Sequence, residues 1–297
     1  MIASAPAKVI LFGEHAVVYG RHAIVSAINL RCYVKVERSN EIRIKSPIGI
    51  TGLDFEVHPY VSYAIKRFRE IKPINGVNVE IRSEIPVASG LGSSSAVTVA
   101  VLKALDGEFE TGLSDEEIFE IARKVELDVQ GIGSGTDPFI ATFGGTWIVP
   151  ERKAVKIGKI RLIVVNTKEK SVTAEMVKKV AELRKKYRNI VDGIFDVIDA
   201  ITLNSVDALE KGDIKTISEL FFFNQCMLKA IGVSNRKIEE TIEKLRELGV
   251  SAKITGAGGG GCVVGIGDEG SMLSALKEFS GFLVEPGAEG VRFEDKF

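Results

Sequence analysis

Apolar and polar residues alternate with a period of two in several short segments in the first half of the chain. Such alternation, with many β-branched residues, predicts strands at 32–36, 41–45 and 77–81. Longer stretches, apolar at helical spacing or throughout, predict helices at 60–70, 97–105 and 115–125. Ser114 followed by Glu117 forms a capping box for the last of these. The first half is therefore expected to mix strands and helices.

Helical periodicity dominates the second half, after a strand-like segment at 160–166. Two amphipathic helices are predicted by the apolar stripes Met176, Val180, Leu183, Tyr187 and Ile238, Ile242, Leu245, Leu248. Gly193 and the pair Gly212 and Asp213 punctuate the helical segments between these stripes. Short strands are predicted at 254–255, 262–266, 282–284 and 291–293. The change near residue 155 predicts an α+β fold with two domains, residues 1–157 and 158–297.

Composition excludes several classes of protein. The chain has 297 residues, of which 45% are hydrophobic and 27% charged, so it is expected to be globular. Lysine and arginine number 39 against 40 acidic residues, and the net charge of −1 argues against general affinity for nucleic acid or anionic membranes. The first apolar run, 9–12, is too short for a signal peptide or a membrane span. We expect a cytoplasmic protein.

The three cysteines are widely separated and lie in apolar or glycine-rich surroundings. Cys32, Cys226 and Cys262 have no C-x-x-C spacing, and the chain has only three histidines. A cluster of metal ligands is therefore not expected. Buried free thiols in a reducing compartment explain this pattern better.

A segment rich in glycine and serine lies between the strand at 77–81 and the helix at 97–105. It consists of Pro86, Val87, Ala88, Ser89, Gly90, Leu91, Gly92, Ser93, Ser94, Ser95 and Ala96. Glycine lets the backbone approach a ligand, and the first turn of the following helix offers unpaired N–H groups to an anion. The spacing matches neither a P-loop nor a dinucleotide-binding turn. A phosphate-binding loop is the functional interpretation, and a tight structural connection is the alternative.

Two further glycine-bearing segments help to decide between these interpretations. The first runs from Pro6 to Gly20 through Lys8 and the sequence Gly-Glu-His-Ala-Val-Val-Tyr-Gly, and the second runs from Lys253 to Val264. With the central loop, they form three ordered motifs by which the whole chain resembles the GHMP small-molecule kinases. The first motif is similar to the branch of that family that phosphorylates mevalonate. This resemblance implies a ribosomal-protein S5-like N-terminal domain, a ferredoxin-like C-terminal domain, and an active site in the cleft between them.

The resemblance also assigns roles to individual residues of a phosphotransferase. Asp137 matches the aspartate taken as catalytic base, and Lys8 matches a lysine beside that base and the acceptor oxygen. Glu126 and Ser94 match the magnesium ligands, and magnesium prefers such hard oxygen donors. The resemblance implies ATP and mevalonate as partners and Mg²⁺ as cofactor. Whether the protein forms a homodimer is left open by the sequence.

Other residues carry weaker expectations from the same resemblance. Glu14, His15 and Thr173 match residues near the acceptor. His15 could instead be a core histidine hydrogen-bonded to backbone, and Thr173 could cap a helix. The loop 256–261 is too rich in glycine for a regular strand, and it is expected to support the phosphate site and the domain interface, with Lys253 supplying positive charge.

Two departures from the family pattern leave questions open. Gly133 stands where many relatives have proline, and Ser95 stands where alanine is common, so either Ser94 or Ser95 is the serine that contacts magnesium. Phosphomevalonate and homoserine remain alternative acceptors, because a few pocket contacts set acceptor choice. A non-catalytic ligand sensor on the same fold is the remaining alternative.

Overall fold

The part of the chain that the structure describes contains two β-sheets. The larger one is built from the strands of the first half of the chain, and the last strand of the chain forms one of its edges. The computed structural model describes residues 1–86, 89–131 and 133–297. The eight strands of this sheet are β1 (Ile2–Phe12), β2 (Ala23–Ser39), β3 (Ile42–Ser46), β4 (Gly49–Thr51), β5 (Gly76–Ser83), β6 (Thr146–Val149), β7 (Lys153–Ala154) and β12 (Arg292–Phe293). Their order is β12-β1-β2-β5-β3-β4, with β6 added to β2 and β7 to β6. β3 and β5 are parallel, and the other pairs are antiparallel.

Helices from the first half of the chain pack against this sheet. They are α1 (Pro59–Ile71), α2 (Ser93–Phe109), α3 (Asp115–Gln130) and α4 (Thr136–Phe143). The capping box of Ser114 and Glu117 starts α3, as predicted. α2 contacts β1 and β2 as well as α1, α3 and α4, so it is enclosed on nearly every side. This explains its continuous apolar run, which is typical of a buried helix.

The second half builds a separate four-stranded antiparallel sheet. Its strands are β8 (Leu162–Asn166), β9 (Ser251–Ile254), β10 (Cys262–Ile266) and β11 (Gly281–Val284), in the order β11-β8-β10-β9. Its helices are α5 (Thr173–Lys186), α6 (Arg188–Lys211), α7 (Ile214–Ala230), α8 (Arg236–Glu247) and α9 (Glu269–Glu278). The spatial order of fourth, first, third and second strand is the ferredoxin-like arrangement. Mixed sheets and helices in two halves confirm the predicted α+β class.

Most predicted elements are present, and their bounds differ by a few residues. Gly193 was expected to punctuate the helices, and this was wrong, because it lies inside α6. Gly212 does end α6 in a left-handed conformation, and the Asp213 side chain then caps α7. The pattern also missed α4, since its short apolar run follows a glycine-rich loop. No helix in the described ranges is long and apolar enough to cross a membrane.

Contacts between the two sheets place a cleft between the halves of the chain. The Thr255 hydroxyl, just after β9, accepts a hydrogen bond from the Ile10 N–H of β1 at 2.9 Å and donates one to the Ile10 carbonyl at 3.1 Å. Phe12 packs edge-on against Phe221 of α7, with ring centroids 5.2 Å apart. Both rings belong to an apolar core that extends through both halves. The end of β1 is thereby held against the second sheet. The domain limits at residues 157 and 158 stay a prediction.

Candidate functional site

A cavity of about 1180 Å³ lies between the two halves, where the three glycine-bearing segments meet. Most of the predicted site residues line it, namely Lys8, Glu14, His15, Pro86, Ser89, Gly90, Gly92, Ser93, Ser94, Glu126, Asp137 and Thr173. Leu91, Ser95 and Ala96 are buried behind this wall. The predicted nucleotide-binding residues Val87 and Ala88 lie outside the described residues. The fold thus brings together residues that are more than 100 positions apart in the sequence.

Lys8 and Asp137 form an ion pair in the wall of the cavity. The Lys8 Nζ lies 3.3 Å from Asp137 Oδ1. The lysine side chain is 8% exposed and the aspartate side chain 33% exposed, so the aspartate faces the cavity while the lysine supports it from the wall. Lys8 sits on β1, and Asp137 is in the first turn of α4. A carboxylate held this way is oriented for a hydrogen bond with an incoming hydroxyl.

Gly92 allows the loop rich in glycine and serine to pass close to this ion pair. Its φ of +75° is in the left-handed region, and a Cβ on it would lie 2.9 Å from Lys8 Cγ. The Lys8 N–H also donates to the Leu91 carbonyl at 2.9 Å, which ties β1 to the loop. Glycine at position 92 therefore meets both a conformational requirement and a steric one.

The first turn of α2 presents the anion-binding features expected from the sequence. Gly92 is the residue before the helix, and it has no side chain that could cap the first N–H groups. The turn contains three serines and no acidic residue, and Ser93 and Ser94 line the cavity. The helix dipole and these free N–H groups favour a phosphate at this position.

Glu126 is the buried carboxylate of the site. It lies near the end of α3, is 8% exposed, and its Oε2 accepts a hydrogen bond from the Gly135 N–H at 3.1 Å. Burial raises the pKa of Glu126, and repulsion from Asp137 raises it further; the hydrogen bond from Gly135 and the charges of Lys8 and Arg123 lower it without cancelling this rise. A Cβ at Gly133 would lie 2.2 Å from Glu126 Oε2. The glycine that replaces the common proline thus leaves room for this carboxylate.

The two candidate serines for magnesium differ in their positions. Ser94 is half-buried and lines the same cavity as Glu126. Ser95 is 5% exposed and lies behind the wall. Consecutive helical residues point about 100° apart, and in this turn Ser93 and Ser94 line the cavity while Ser95 is turned into the protein. This arrangement favours Ser94 over Ser95 as a metal contact.

Glu14 and Lys253 form a fully buried ion pair beneath the cavity. The Lys253 Nζ also donates to the Ile254 carbonyl at 2.6 Å, and the Asn224 amide donates to the second Glu14 oxygen at 3.1 Å. Burial raises the pKa of Glu14 and lowers that of Lys253, and their mutual attraction opposes both effects. Lys253 was expected to supply charge near the phosphates. This expectation was wrong, because its ammonium group is buried and paired with Glu14.

His15 and Thr173 line the same cavity. The His15 Nε2 donates to the Ala257 carbonyl at 2.8 Å, and its φ of +61° is unusual for a residue other than glycine. Burial lowers the pKa of His15, so the neutral ring leaves Nδ1 as an acceptor. Thr173 is the first residue of α5, where Val172 occupies the cap position, so Thr173 does not cap the helix.

The sequence did not identify the wall at the far end of the cavity. There His58 lies just before α1, and its ring nitrogens contact the hydroxyls of Ser46 at 2.9 Å and Thr51 at 2.8 Å. Ser46, Pro47 and Tyr60 line the cavity beside it. A lone histidine before a Pro-Tyr helix start was the only signal, and it is too common to point to a site.

Comparison with known proteins agrees with this geometry. The profile of the GHMP kinases N terminal domain matches residues 59–145, and the GHMP kinases C terminal profile matches residues 205–283. A mevalonate kinase of Archaeoglobus fulgidus is 54% identical over 295 residues, which cover 99% of this chain and 100% of the relative.

Solved structures are similar over the same extent. The Methanococcus jannaschii mevalonate kinase has a TM-score of 0.82 and 30% identity, covering 99% of this chain and 98% of that one. The L. major mevalonate kinase, solved in complex with R-mevalonate, has a TM-score of 0.83 and 25% identity, covering 96% of each chain. The similarity therefore includes both halves and the cleft between them.

Proposed function

The chain belongs to the GHMP kinase family, and we propose that it transfers the γ-phosphoryl group of ATP to the 5-hydroxyl of mevalonate. Relatives named mevalonate kinase match it over nearly its whole length. The observation that carries the proposal is the Lys8–Asp137 ion pair, 3.3 Å long, beside the start of α2. An acceptor hydroxyl at Asp137 would lie next to a terminal phosphate held by that helix.

Asp137 and Lys8 are the proposed catalytic residues. Asp137 is oriented to accept a hydrogen bond from the acceptor hydroxyl and to take its proton as the bond to phosphorus forms. Lys8 favours the ionised aspartate and stabilises negative charge on the transferred group. The N–H groups at the start of α2 are proposed to bind the phosphates of ATP and to keep the γ-phosphoryl group in line with the acceptor.

Glu126 and Ser94 are the proposed protein ligands for Mg²⁺. The donor set fits this ion, because it combines a carboxylate and a hydroxyl, and the neighbouring Asp137 adds further negative charge to the buried Glu126. The described ranges contain no group of three or more His, Cys, Asp or Glu side chains suited to a metal, so phosphate oxygens of ATP would complete the site. When bound, Mg²⁺ neutralises charge that develops on the phosphates.

The charge of the cavity favours mevalonate over a phosphorylated acceptor. Among its described lining residues, Lys8 is the only lysine or arginine, and it is already paired with Asp137. A second phosphate on the acceptor would need further cationic contacts. Glu14, His15 and Thr173 border the side where the acceptor is proposed to bind. We also propose that the reaction takes place in the cytoplasm.

The test is acceptor-dependent ADP release with ATP and Mg²⁺ across mevalonate, phosphomevalonate, homoserine and galactose. We expect release with mevalonate and 5-phosphomevalonate as product, identified by mass spectrometry. Turnover of another acceptor in preference to mevalonate would overturn the substrate assignment and leave the phosphotransferase assignment in place. Binding of ATP without turnover of any acceptor would instead favour the non-catalytic sensor.

A further inference from the structure

A buried network of polar side chains lies under the turn that follows β1. One Glu14 oxygen pairs with Lys253 of β9, and the other accepts from the Asn224 amide of α7 at 3.1 Å. The side chains of Glu14 and Lys253 are 0% exposed, and Asn224 is also fully buried. Asn224 Oδ1 has no hydrogen-bond partner among the described residues. Three elements from both halves of the chain thus meet on one carboxylate.

The network is embedded in aromatic side chains of the interface. The Lys253 ammonium lies 5.6 Å from the centre of the Phe221 ring, which itself packs against Phe12 at the end of β1. Solvent is excluded from these groups, so the carboxylate cannot exchange Lys253 or Asn224 for water. A buried carboxylate with partners on two other elements holds its own backbone in one place.

This backbone forms the edge of the acceptor side of the cavity. Glu14 and His15 border the cavity, whereas Lys253 and Asn224 are not among its described lining residues. The next residue, His15, reaches the Ala257 carbonyl at 2.8 Å with a φ of +61°. A conformation of this kind persists only where surrounding contacts enforce it. The Glu14 network and the His15 contact both connect the turn to the second half of the chain.

We propose that Lys253 and Asn224 are positioning residues for acceptor binding, acting through Glu14 on the turn 13–16. They touch neither the phosphates nor the acceptor, and they set where His15 and the adjoining backbone stand. This inference rests on the proposed phosphoryl transfer to mevalonate. It predicts that disturbing the network weakens acceptor binding while the ATP side of the cleft, built by α2, is unchanged.

Two variants test this inference without leaving a buried charge unpaired. Asn224→Leu removes a donor to Glu14 together with the unpartnered oxygen, and Glu14→Gln with Lys253→Met removes both charges at similar volume. We expect both variants to fold and to raise the KM for mevalonate by about tenfold to a hundredfold, the range that small misplacements of a bound substrate produce. The KM for ATP should change by less than about twofold, since only the acceptor side is displaced.

The matched control is an exposed ion pair that also joins the two halves. Arg21 follows the same turn and contacts Asp196 of α6 at 2.6 Å. Arg21→Met with Asp196→Asn should leave both KM values unchanged, because exposed pairs contribute little. An unchanged acceptor KM in Asn224→Leu and in the Glu14/Lys253 double variant would overturn the proposal. Equal increases in both KM values would also overturn it, because they would indicate general structural support.

Hydrogen exchange gives a readout that does not depend on turnover. The Ala16 N–H bonds to the Glu14 carbonyl at 2.7 Å, and the Val17 N–H bonds to the Gly13 carbonyl at 3.1 Å. In both network variants these amides should exchange faster than in the wild type and in the control. Unchanged exchange would show that the network does not hold the turn. If wild-type protein failed to phosphorylate mevalonate, the proposed function would fall, and this measurement would still decide whether the network holds the turn.

Discussion

The Lys8–Asp137 ion pair yields the sharpest quantitative prediction, because its two members should act as one unit. Their charged atoms are 3.3 Å apart. At an effective dielectric constant of about 20, such a pair has an attraction of roughly 5 kcal/mol. Asp137 is a third exposed, so water screens part of this attraction, and the desolvation of Lys8 offsets more of it. We therefore expect a net coupling free energy of about 1–3 kcal/mol in the folded protein.

The perturbation is a double-mutant cycle with Asp137→Asn and Lys8→Met. Each single variant should lower kcat by about 10²- to 10⁴-fold, the contribution typical of a positioned acid or base. Asp137→Asn should also lower the free energy of unfolding, since it leaves the nearly buried Lys8 ammonium without its partner. Both variants should still bind ATP, because α2 is unchanged. The double variant should be no slower than the slower single variant, and more stable than Asp137→Asn.

The assay combines steady-state ADP release with denaturant unfolding and calorimetric ATP binding for all four proteins. A coupling free energy near zero in unfolding, together with a kcat loss in the double variant equal to the product of the single losses, would refute the reasoning. Such additivity would mean that Lys8 and Asp137 act independently despite their contact. Undiminished kcat in both single variants would remove them from catalysis.

Three further predictions concern the proposed metal ligands and the loop proposed to bind phosphate. Burial and a neighbouring carboxylate raise the pKa of Glu126, and Mg²⁺ binds the ionised carboxylate. The apparent affinity for Mg²⁺ should therefore fall as the pH decreases through that raised pKa. The Glu126→Gln variant should bind Mg²⁺ weakly, and its affinity should not change with pH. Titration of turnover against Mg²⁺ should also show a raised requirement in Ser94→Ala, and the same rise in Ser95→Ala alone would move the metal contact to that residue. Gly92→Ala should lose turnover, because the added Cβ would press on Lys8. The control is Gly112→Ala, which has a similar positive φ and open space around the added Cβ, and which should lose only about 1–2 kcal/mol of stability in denaturant unfolding. An equal kcat in the two variants would contradict this prediction.

Elements whose signals are local could be predicted from the sequence. The capping box before α3 and the strand Cys262–Ile266 depend on neighbouring residues only, and the structure confirms both. The three glycine-bearing motifs similarly specified the family and the reaction class. Lys8 has a fixed place within the first of these motifs, and the family resemblance assigned Glu126 and Asp137, which lie outside all three.

Tertiary structure decided what each charged or polar side chain faces. Lys253 stands beside a glycine-rich loop in the sequence, yet its ammonium is taken by Glu14, which is 239 positions away. Ser94 and Ser95 are equivalent in sequence, and only the rotation of α2 against the cavity separates them. Gly193 predicts a break by composition, but it is an exposed position inside α6, whose buried face with Val191 and Phe195 continues past it. Sequence alone determined the family, the reaction class and the local elements, because these depend on residue order; burial, pairing and orientation depend on segments that meet only in the folded chain.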